Sequence, residues 1–520
     1  MGPLVDSHPL KKTRIASQTL FFFTFLAGVL FSSEAFWPLP KDFFFLLDPL
    51  VTFVAMFSAQ TILFSSLAVS CLVLLLTIVF GRFFCGWICP LGTMIDIFDW
   101  FTKGVPKKQP NSSLKIKLRL IKFGILIFTL IAAGLSFQFI YFFDPIVIMT
   151  RFAGMVLIPV AHSLSHQAPF AVQHSIQFIF YVIGILSLSL FSKRFWCRVF
   201  CPLGALFGLI GRFSIFGFYR TACKGCPRCH RHCPTGSISE AKHLKTKPEE
   251  CVRCFNCLSV CPTSSLKFGL KQPQTIRHEP VALSRRTFLA WSGGGICSSL
   301  ILTPQALGIT QLKSTLRPPH APDEELFLNL CIRCQACTNV CPTNALQPIF
   351  MQSGLGGLWS PSLMPSIGAC QTDCTRCSTV CPTGAIGHFD LQSKYTIKIG
   401  TAILLKNRCV SYSDGKPCGK CIPKCPTGAI AFIKEDGMDK PNKIDFLLCV
   451  GCGICEHICN KQTLGPSALI VTANGRNQPS GVPQQTIDRL SREPGKYKFH
   501  KIDTSGCNFF ERKRSLTKRT

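Results

Sequence analysis

Acidic residues are scarce in this 520-residue chain: 26 Asp and Glu stand against 56 Lys and Arg, a formal charge of +30. On one soluble domain such an excess would point to nucleic acid. Here the basic residues gather beside long apolar stretches, as in loops flanking membrane helices, so no nucleic-acid partner is expected. Three other things are missing: a glycine-rich nucleotide loop, a domain large enough for a molybdopterin enzyme, and a usable haem motif. The one haem-like run, "CPRCH" from Cys226 to His230, has both cysteines claimed by a longer motif. A terminal catalytic centre of these kinds is thereby excluded. What the chain has in quantity is 45 Phe and 31 Cys, with a mean hydropathy of +0.31.

A bilayer span takes about 20 apolar residues, and four stretches qualify: Ile15 to Ser33, Thr61 to Gly81, Phe123 to Phe143 and Ser175 to Ser192. Basic residues mark one side. Lys11, Lys12 and Arg14 precede the first stretch, seven Lys and Arg from Lys103 to Lys122 separate the second from the third, and Lys193, Arg194 and Arg198 follow the fourth. Four helices with both ends inside are predicted. A cleaved signal peptide is the alternative for the first, although "SSEAFW" is a poor cleavage site.

The four helices read as two copies of one hairpin. "FLLDPLV", a span and "GRFFCGWICPLGT" are matched by "YFFDPIV", a span and "KRFWCRVFCPLGA". Asp48 pairs with Asp144 on the outer side, and Cys85 and Cys89 pair with Cys197 and Cys201 on the inner side. Thiols at i and i+4 of a helix share a face, so the repeat can gather four cysteines into an iron-sulfur or other thiolate metal site. Structural or redox-active thiols are the alternative. Asp48 and Asp144, placed at the lipid-water boundary, are candidate proton acceptors for a bound quinol or simple helix caps. His162 and His166 are either partners in such a site, haem ligands or polar surface. Cys71, inside a span, is expected to be inert.

Six cysteine quartets follow. Cys223, Cys226, Cys229 and Cys233, then Cys251, Cys254, Cys257 and Cys261, both read C-x-x-C-x-x-C-x-x-x-C-P, the ferredoxin run whose fourth thiolate serves the other cluster. Cys223, Cys226 and Cys229 therefore pair with Cys261, and Cys251, Cys254 and Cys257 with Cys233. Zinc is the alternative. The later quartets are Cys331, Cys334, Cys337 and Cys341; Cys370, Cys374, Cys377 and Cys381; Cys409, Cys418, Cys421 and Cys425; and Cys449, Cys452, Cys455 and Cys459. The second and third have widened gaps, and the last lacks its proline. Cys297 and Cys507 stand apart with no assigned role.

Between the second and third quartets lies "LSRRTFLAWSGGGICSSLIL", with Arg285 and Arg286 ahead of a stretch uncharged from Thr287 to Leu312. It has the form of a twin-arginine export signal, the route taken by proteins that cross already folded. In mid-chain it predicts a fifth membrane segment and a C-terminal domain outside the cell. Cleavage near "PQALG" would undo that tether. The terminal "ERKRSLTKRT" is basic and is expected to be a solvated, disordered tail.

These motifs resemble the membrane-bound iron-sulfur quinol dehydrogenase component of periplasmic nitrate reductase systems. From Arg285 onward the chain resembles the partner periplasmic four-cluster ferredoxin. The resemblance covers about Lys12 to Leu469 and is specific for iron-sulfur electron transfer rather than for nitrate. It implies six [4Fe-4S] clusters, quinol as substrate, the membrane quinone pool as partner, and a periplasmic reductase or c-type cytochrome as acceptor. It also implies that Cys331, Cys334 and Cys337 take Cys459, that Cys449, Cys452 and Cys455 take Cys341, and that the inner quartets exchange Cys381 and Cys425. Maturation of another metallo-oxidoreductase, and passive relay from cytoplasmic donors, are the rival readings.

The expected fold is membrane α-helical, four spans as two hairpins plus a fifth, joined to α+β ferredoxin-like 2x[4Fe-4S] domains. The expected divisions are 1–212 (membrane), 213–275 (cytoplasmic ferredoxin), 276–312 (signal and fifth segment), 313–470 (periplasmic four-cluster ferredoxin) and 471–520 (basic tail). The location implied is a bacterial inner membrane.

Overall fold

The structure, a computed structural model, describes residues 9–30, 43–60, 64–102, 112–135, 138–158, 160, 172–220, 223, 225–238, 246–270, 285–301, 315–350, 353, 355–415, 418–435, 438–441, 444–462 and 466–492. Helices stand at all four expected spans: α1 (Pro9–Leu30), α3 (Phe64–Phe80), α6 (Ser112–Gly134) and α8 (Val172–Phe191). Among the described residues only α1 is long and apolar enough to cross a membrane by length and composition. The 17 residues of α3 reach about 25 Å, and α6 opens with charged turns. Leu20, Phe23, Phe64, Leu72, Leu75, Phe180, Ile183 and Phe191 nevertheless lie exposed along α1, α3 and α8, an apolar surface that water does not suit.

Short helices fill the space between these. In each repeat an Asp-Pro and a Cys-Pro start one. α2 (Pro49–Ala59) and α7 (Pro145–Phe152) begin at Asp48 and Asp144, each an N-cap followed by proline at the first helical position. α4 (Phe84–Trp87) and α5 (Pro90–Phe101) in the first repeat match α9 (Phe195–Val199) and α10 (Pro202–Gly211) in the second. The expected single helix carrying both thiols of a C-x-x-x-C-P pair is not formed. The residue before proline is pushed out of the α region. Cys89 (ψ 117°) and Cys201 (ψ 109°) therefore end one helix and cap the next.

Both acids lie within the helical core. α2 returns through Gln60 into α3, and Thr52 meets Ser70 across that hairpin at 2.9 Å. Asp48 lies one turn deeper still. Both Asp48 and Asp144 are 0 % exposed, enclosed by the helical core rather than open to solvent.

The segment headed by Arg285 forms α11 (Arg285–Ile301) and packs along α6. A side chain on Gly124 would run into the Trp291 ring, 2.2 Å away. The remainder of the predicted fifth segment, 302–312, lies outside the described residues.

The chain divides into two compact units. The first holds 1–363 and 376–388, including the helical core and the strand pair β1 (Phe216–Arg220) with β2 (Leu266–Leu270), antiparallel with Phe218 opposite Phe268. The second holds 364–375 and 389–520. There β3 (Thr401–Leu404) pairs antiparallel with β4 (Leu469–Thr472), and Tyr395, Val450 and Val482 form a core with Ile487 and Leu490 of α12 (Gln484–Arg492). The stretch assigned to the tail is thus folded as far as Arg492. The "ERKRSLTKRT" end, Cys507, His162 and His166 lie outside the described residues.

Within the first unit, two cysteine loops meet the helical core at different ends of α3. At the end of α3, Arg253 donates to the Phe80 carbonyl at 2.9 Å and Trp87 to the Arg253 carbonyl at 3.1 Å. A Cβ on Gly86 would fall 2.1 Å from the Val252 carbonyl oxygen. Beyond the start of α3, Ser58 and Gln138 each donate to the Asn329 carbonyl at 2.6 Å, and Arg151 donates to the Arg333 carbonyl at 2.8 Å. Arg253 and Arg333 occupy the same place in their quartets, and both have left-handed backbone (φ 54° and 55°). The last quartet puts Gly451 at this position, where the conformation carries no steric cost.

Candidate iron-sulfur centres

Cys85, Cys89, Cys197 and Cys201 are all buried. Their thiols act on one another: Cys201 feels Cys197, Cys85 and Cys89, and Cys89 feels Cys85 and Cys197. The repeat therefore gathers the four sulfurs that its sequence suggested. Each Cys-Pro turn also aims a helix N-terminus at its sulfur, with Gly92 N–H to Cys89 Sγ at 3.4 Å and Gly204 N–H to Cys201 Sγ at 3.2 Å. Such N–H groups favour a thiolate.

Two arginines complete this site: Arg194, which the sequence marked only for topology, and Arg82, to which it gave no role. Arg82 and Arg194 stand three residues before Cys85 and Cys197, and each reaches into the other repeat. Arg194 donates to the Cys85 carbonyl at 2.9 Å, and Arg82 lies against Gly204 and Cys201. Both are fully buried and held by acids. Asp96 takes a bidentate bond from Arg194 at 2.8 and 2.7 Å, and Glu250 sits 3.5 Å from Arg82 and 2.7 Å from Lys122. Four thiols, two helix N-termini and two buried cations suit an anionic thiolate centre.

Asp48 and Asp144 meet on the same pseudo-symmetry. The Oδ1 of each accepts two backbone N–H bonds, from Leu50 and Val51 in one copy and from Ile146 and Val147 in the other. The Oδ2 atoms find no hydrogen-bond donor, and the two buried carboxyls act on each other electrostatically. The helix-cap reading therefore holds for both residues, and the cap leaves one oxygen on each without a partner.

The first two quartets ring two cavities. Cys223, Cys226 and Cys229 line one with Cys261, and Cys251, Cys254 and Cys257 line the other with Cys233, the exchanged grouping that their spacing suggests. Burial pushes the Cys254 thiol up to about 12, and Cys233 and Cys251 add to the effect. A bound metal deprotonates its thiols outright and removes that penalty. Among the described residues no three Cys, His, Asp or Glu side chains converge closely enough to hold a single metal ion.

The last four quartets group differently from what the resemblance implies. Burial raises the Cys337 thiol well above its usual range, and Cys334, Cys331 and Cys381 raise it further. Cys425 shares a cavity with Cys449, Cys452 and Cys455. Burial pushes Cys421 up to about 12, and among the thiols Cys459 adds most, followed by Cys409 and Cys418. Three of these fourth cysteines, Cys381, Cys425 and Cys459, thus lie beside the first three thiols of the neighbouring quartet in sequence, as in the first ferredoxin pair. Cys381, not Cys459, joins Cys331, and Cys425, not Cys341, joins Cys449. The physical reason is the division of the chain: Cys331 and Cys381 belong to the first unit, whereas Cys459 and Cys449 belong to the second.

A further set of residues went unread in the sequence. Five quartets end Cys-Pro-Thr, and in all five the threonine hydroxyl lies 3.6–3.9 Å from the fourth sulfur: Thr235, Thr263, Thr343, Thr383 and Thr427. Cys459, lacking the motif, instead accepts the Ala468 N–H at 3.4 Å. Hydrogen bonds to cluster sulfurs tune potential. The repeated "CPT" was the available signal.

Quartets that exchange their fourth thiolate define a ferredoxin-type iron-sulfur electron-transfer protein. Family models for 4Fe-4S binding domains match residues 62–109 with 177–218 and residues 325–347, and a 4Fe-4S dicluster domain matches 217–262. An uncharacterised protein of Methanocaldococcus jannaschii is 32% identical over 211 residues, 38% of this chain and 76% of that protein. The ferredoxin-type protein NapH of Escherichia coli is 25% identical over 231 residues, 42% of this chain and 72% of NapH. The Escherichia coli putative electron transport protein YccM is 28% identical over 207 residues, 38% of this chain and 54% of YccM. The chain belongs to this NapH-like polyferredoxin family. No solved structure matches it.

Proposed function

We propose that this protein is a multi-pass membrane electron carrier that oxidises a quinol, of the menaquinol type, and delivers electrons one at a time to an acceptor outside the membrane. The acceptor class is a periplasmic reductase or a c-type cytochrome. Bound at the six quartets and at Cys85, Cys89, Cys197 and Cys201, [4Fe-4S] clusters supply one-electron transfer. The carrying observation is that a four-thiol site, a buried carboxyl pair and three cysteine quartet loops are packed into one compact unit. Asp48 and Asp144, placed here as proton acceptors, hold one oxygen each free of backbone bonds. Being buried, they receive a quinol proton through an intervening group rather than by direct contact. The twin-arginine pattern at Arg285 and Arg286 supports a C-terminal part outside and the quartets of 213–275 inside.

The test is reduction of the purified protein by a menaquinol analogue, followed by stopped-flow absorbance. Rapid bleaching is expected, and it should slow in Asp48→Asn and Asp144→Asn variants. Bleaching by dithionite alone, with none by the quinol, would sink the quinol reading and leave the iron-sulfur assignment standing.

A further inference from the structure

The four-thiol site and the quartet loop beyond the start of α3 are joined by a run of aromatic rings. Trp196 precedes Cys197 and lies 6.4 Å from Tyr181, measured between ring centroids. Tyr181 lies 5.6 Å from Phe178, and Phe178 lies 6.3 Å from Trp359. Trp359 belongs to the loop around the Cys331 quartet, and Gln335, between Cys334 and Cys337, donates to its carbonyl oxygen. Most of the run is shielded from solvent: Phe178 is 0 % exposed, Trp196 and Trp359 are buried, and Tyr181 is half-buried.

Three observations mark this run as more than core packing. Trp359 has left-handed backbone (φ 59°), a costly conformation for a large side chain. Arg151 stacks its guanidinium on Trp359 at 4.8 Å and on Phe178 at 5.3 Å, while also reaching the Cys334 thiol electrostatically. Its position fixes the ring pair against the quartet. Finally, the run begins and ends at cysteine groups with nothing but rings between. Core aromatics elsewhere in the unit, such as Phe218, Phe255 and Phe268, pack within one domain.

We infer that Trp196, Tyr181, Phe178 and Trp359 form the electronic bridge between the Cys85–Cys89–Cys197–Cys201 centre and the Cys331–Cys334–Cys337–Cys381 centre. With Cys254 packed beside the core at the end of α3, this bridge connects the two ferredoxin parts of the unit. Electron tunnelling decays exponentially with distance and more steeply across gaps than through packed covalent matter. Rings in contact therefore raise the coupling over a separation of about the α3 length, roughly 25 Å. Each transfer moves one electron from a reduced centre to an oxidised one. The rings are neither oxidised nor reduced, and no proton moves on them. The quartets of 213–275 thereby acquire a role: a donor on their side can feed the centre beyond the start of α3 without any quinol.

This inference rests on the cluster assignment above, and iron content with EPR of the solubilised full-length protein tests that assignment separately. Protein in sealed vesicles would be given external dithionite, with cytochrome c trapped inside, so that each electron crossing reduces one ferric haem. Phe143 and Phe142 also link Trp196 to Trp359, at 6.4, 6.3 and 5.5 Å, so crossing is expected in the wild type, should fall to the protein-free level in Trp196→Leu, and should slow in Tyr181→Leu. The conservative Trp196→Phe should restore it. Rapid-freeze EPR gives a readout independent of turnover: in the Leu variants one class of centre should stay oxidised after the others are reduced, with all signals present at full reduction. No crossing in the wild type would overturn the bridge even if quinol oxidation succeeds. Unchanged crossing in Leu variants with intact iron content would overturn it as well.

Discussion

Glu250 ends the short turn Pro248–Glu250 just before Cys251, and it ties the ferredoxin loop to the helical core. It bonds Lys122 of α6 at 2.7 Å and stands 3.5 Å from Arg82, the arginine that reaches Cys201. Because Lys122 is 0 % and Arg82 1 % exposed, the small energies of surface pairs do not apply. Removing one member of a buried network leaves charge uncompensated, at a cost of about 3–5 kcal/mol. Glu250→Gln keeps the shape and should lower stability by that order, read as thermal loss of the visible cluster absorbance. Adding Lys122→Met removes one stranded cation, so the double variant should lose less than the sum of the two singles, with a coupling of about 1–3 kcal/mol. Acid gives an independent check. Burial alone would raise the Glu250 carboxyl, but Lys122, Arg82 and Arg119 outweigh it and hold it below its usual range. A depressed folded pKa means that the stabilisation is full above the unfolded value, about 4.3, and is lost as pH falls through the folded one. Wild type should therefore destabilise more steeply in acid than Glu250→Gln. Additive singles, or parallel acid profiles, would refute the network.

Three further outcomes are expected. Gly86→Ala places a Cβ 2.1 Å from the Val252 carbonyl oxygen, so the Cys251 loop must retreat by more than 1 Å; limited proteolysis should then cut between 213 and 275, and an uncut loop would contradict the close approach. Thr263→Val removes a hydroxyl 3.8 Å from Cys261 Sγ and should lower the potential of that centre by on the order of tens of millivolts in an EPR-monitored titration; an unmoved potential would remove Thr263 from the tuning set. A reporter fused after Pro304 should read as external, and Arg285→Lys with Arg286→Lys should return it to the cytoplasm; a cytoplasmic reporter in the unmodified chain would end the export reading of the seam.

The repeat was legible because two rare dipeptides, Asp-Pro and Cys-Pro, recur in one order, and each is a helix start that needs only local chemistry. The enclosure of Asp48 was not legible. A hydropathy pattern marks spans but not a half-length helix that turns back inside them and covers the acid at its start. The exchange of fourth cysteines could be read where the proline-terminated motif is regular. It was misassigned where a family analogy replaced geometry, as at Cys381 and Cys425. Arg82 and Arg194 look like inside-facing charge in sequence, and only the crossing of the repeats turns them towards sulfur. The aromatic run lay beyond any local pattern, because Trp359 and Phe178 are brought together only by tertiary packing.

The two-fold repeat also constrains how this core works. Each copy contributes one carboxyl, one arginine and one cysteine pair, and none of these is a site alone. Asp48 without Asp144 is half a carboxyl pair, and Cys85 with Cys89 supplies half a ligand set. Pairing across the repeat sets each buried group beside its counterpart: arginine from one copy against thiols of the other, and carboxyl beside carboxyl. A group this deeply buried cannot find such partners in water. The same pairing means that a single substitution in either copy disables a whole site rather than half of one. Asp48→Asn and Asp144→Asn should therefore behave alike, and the double variant should lose little more than either single, because either change alone already breaks the carboxyl pair.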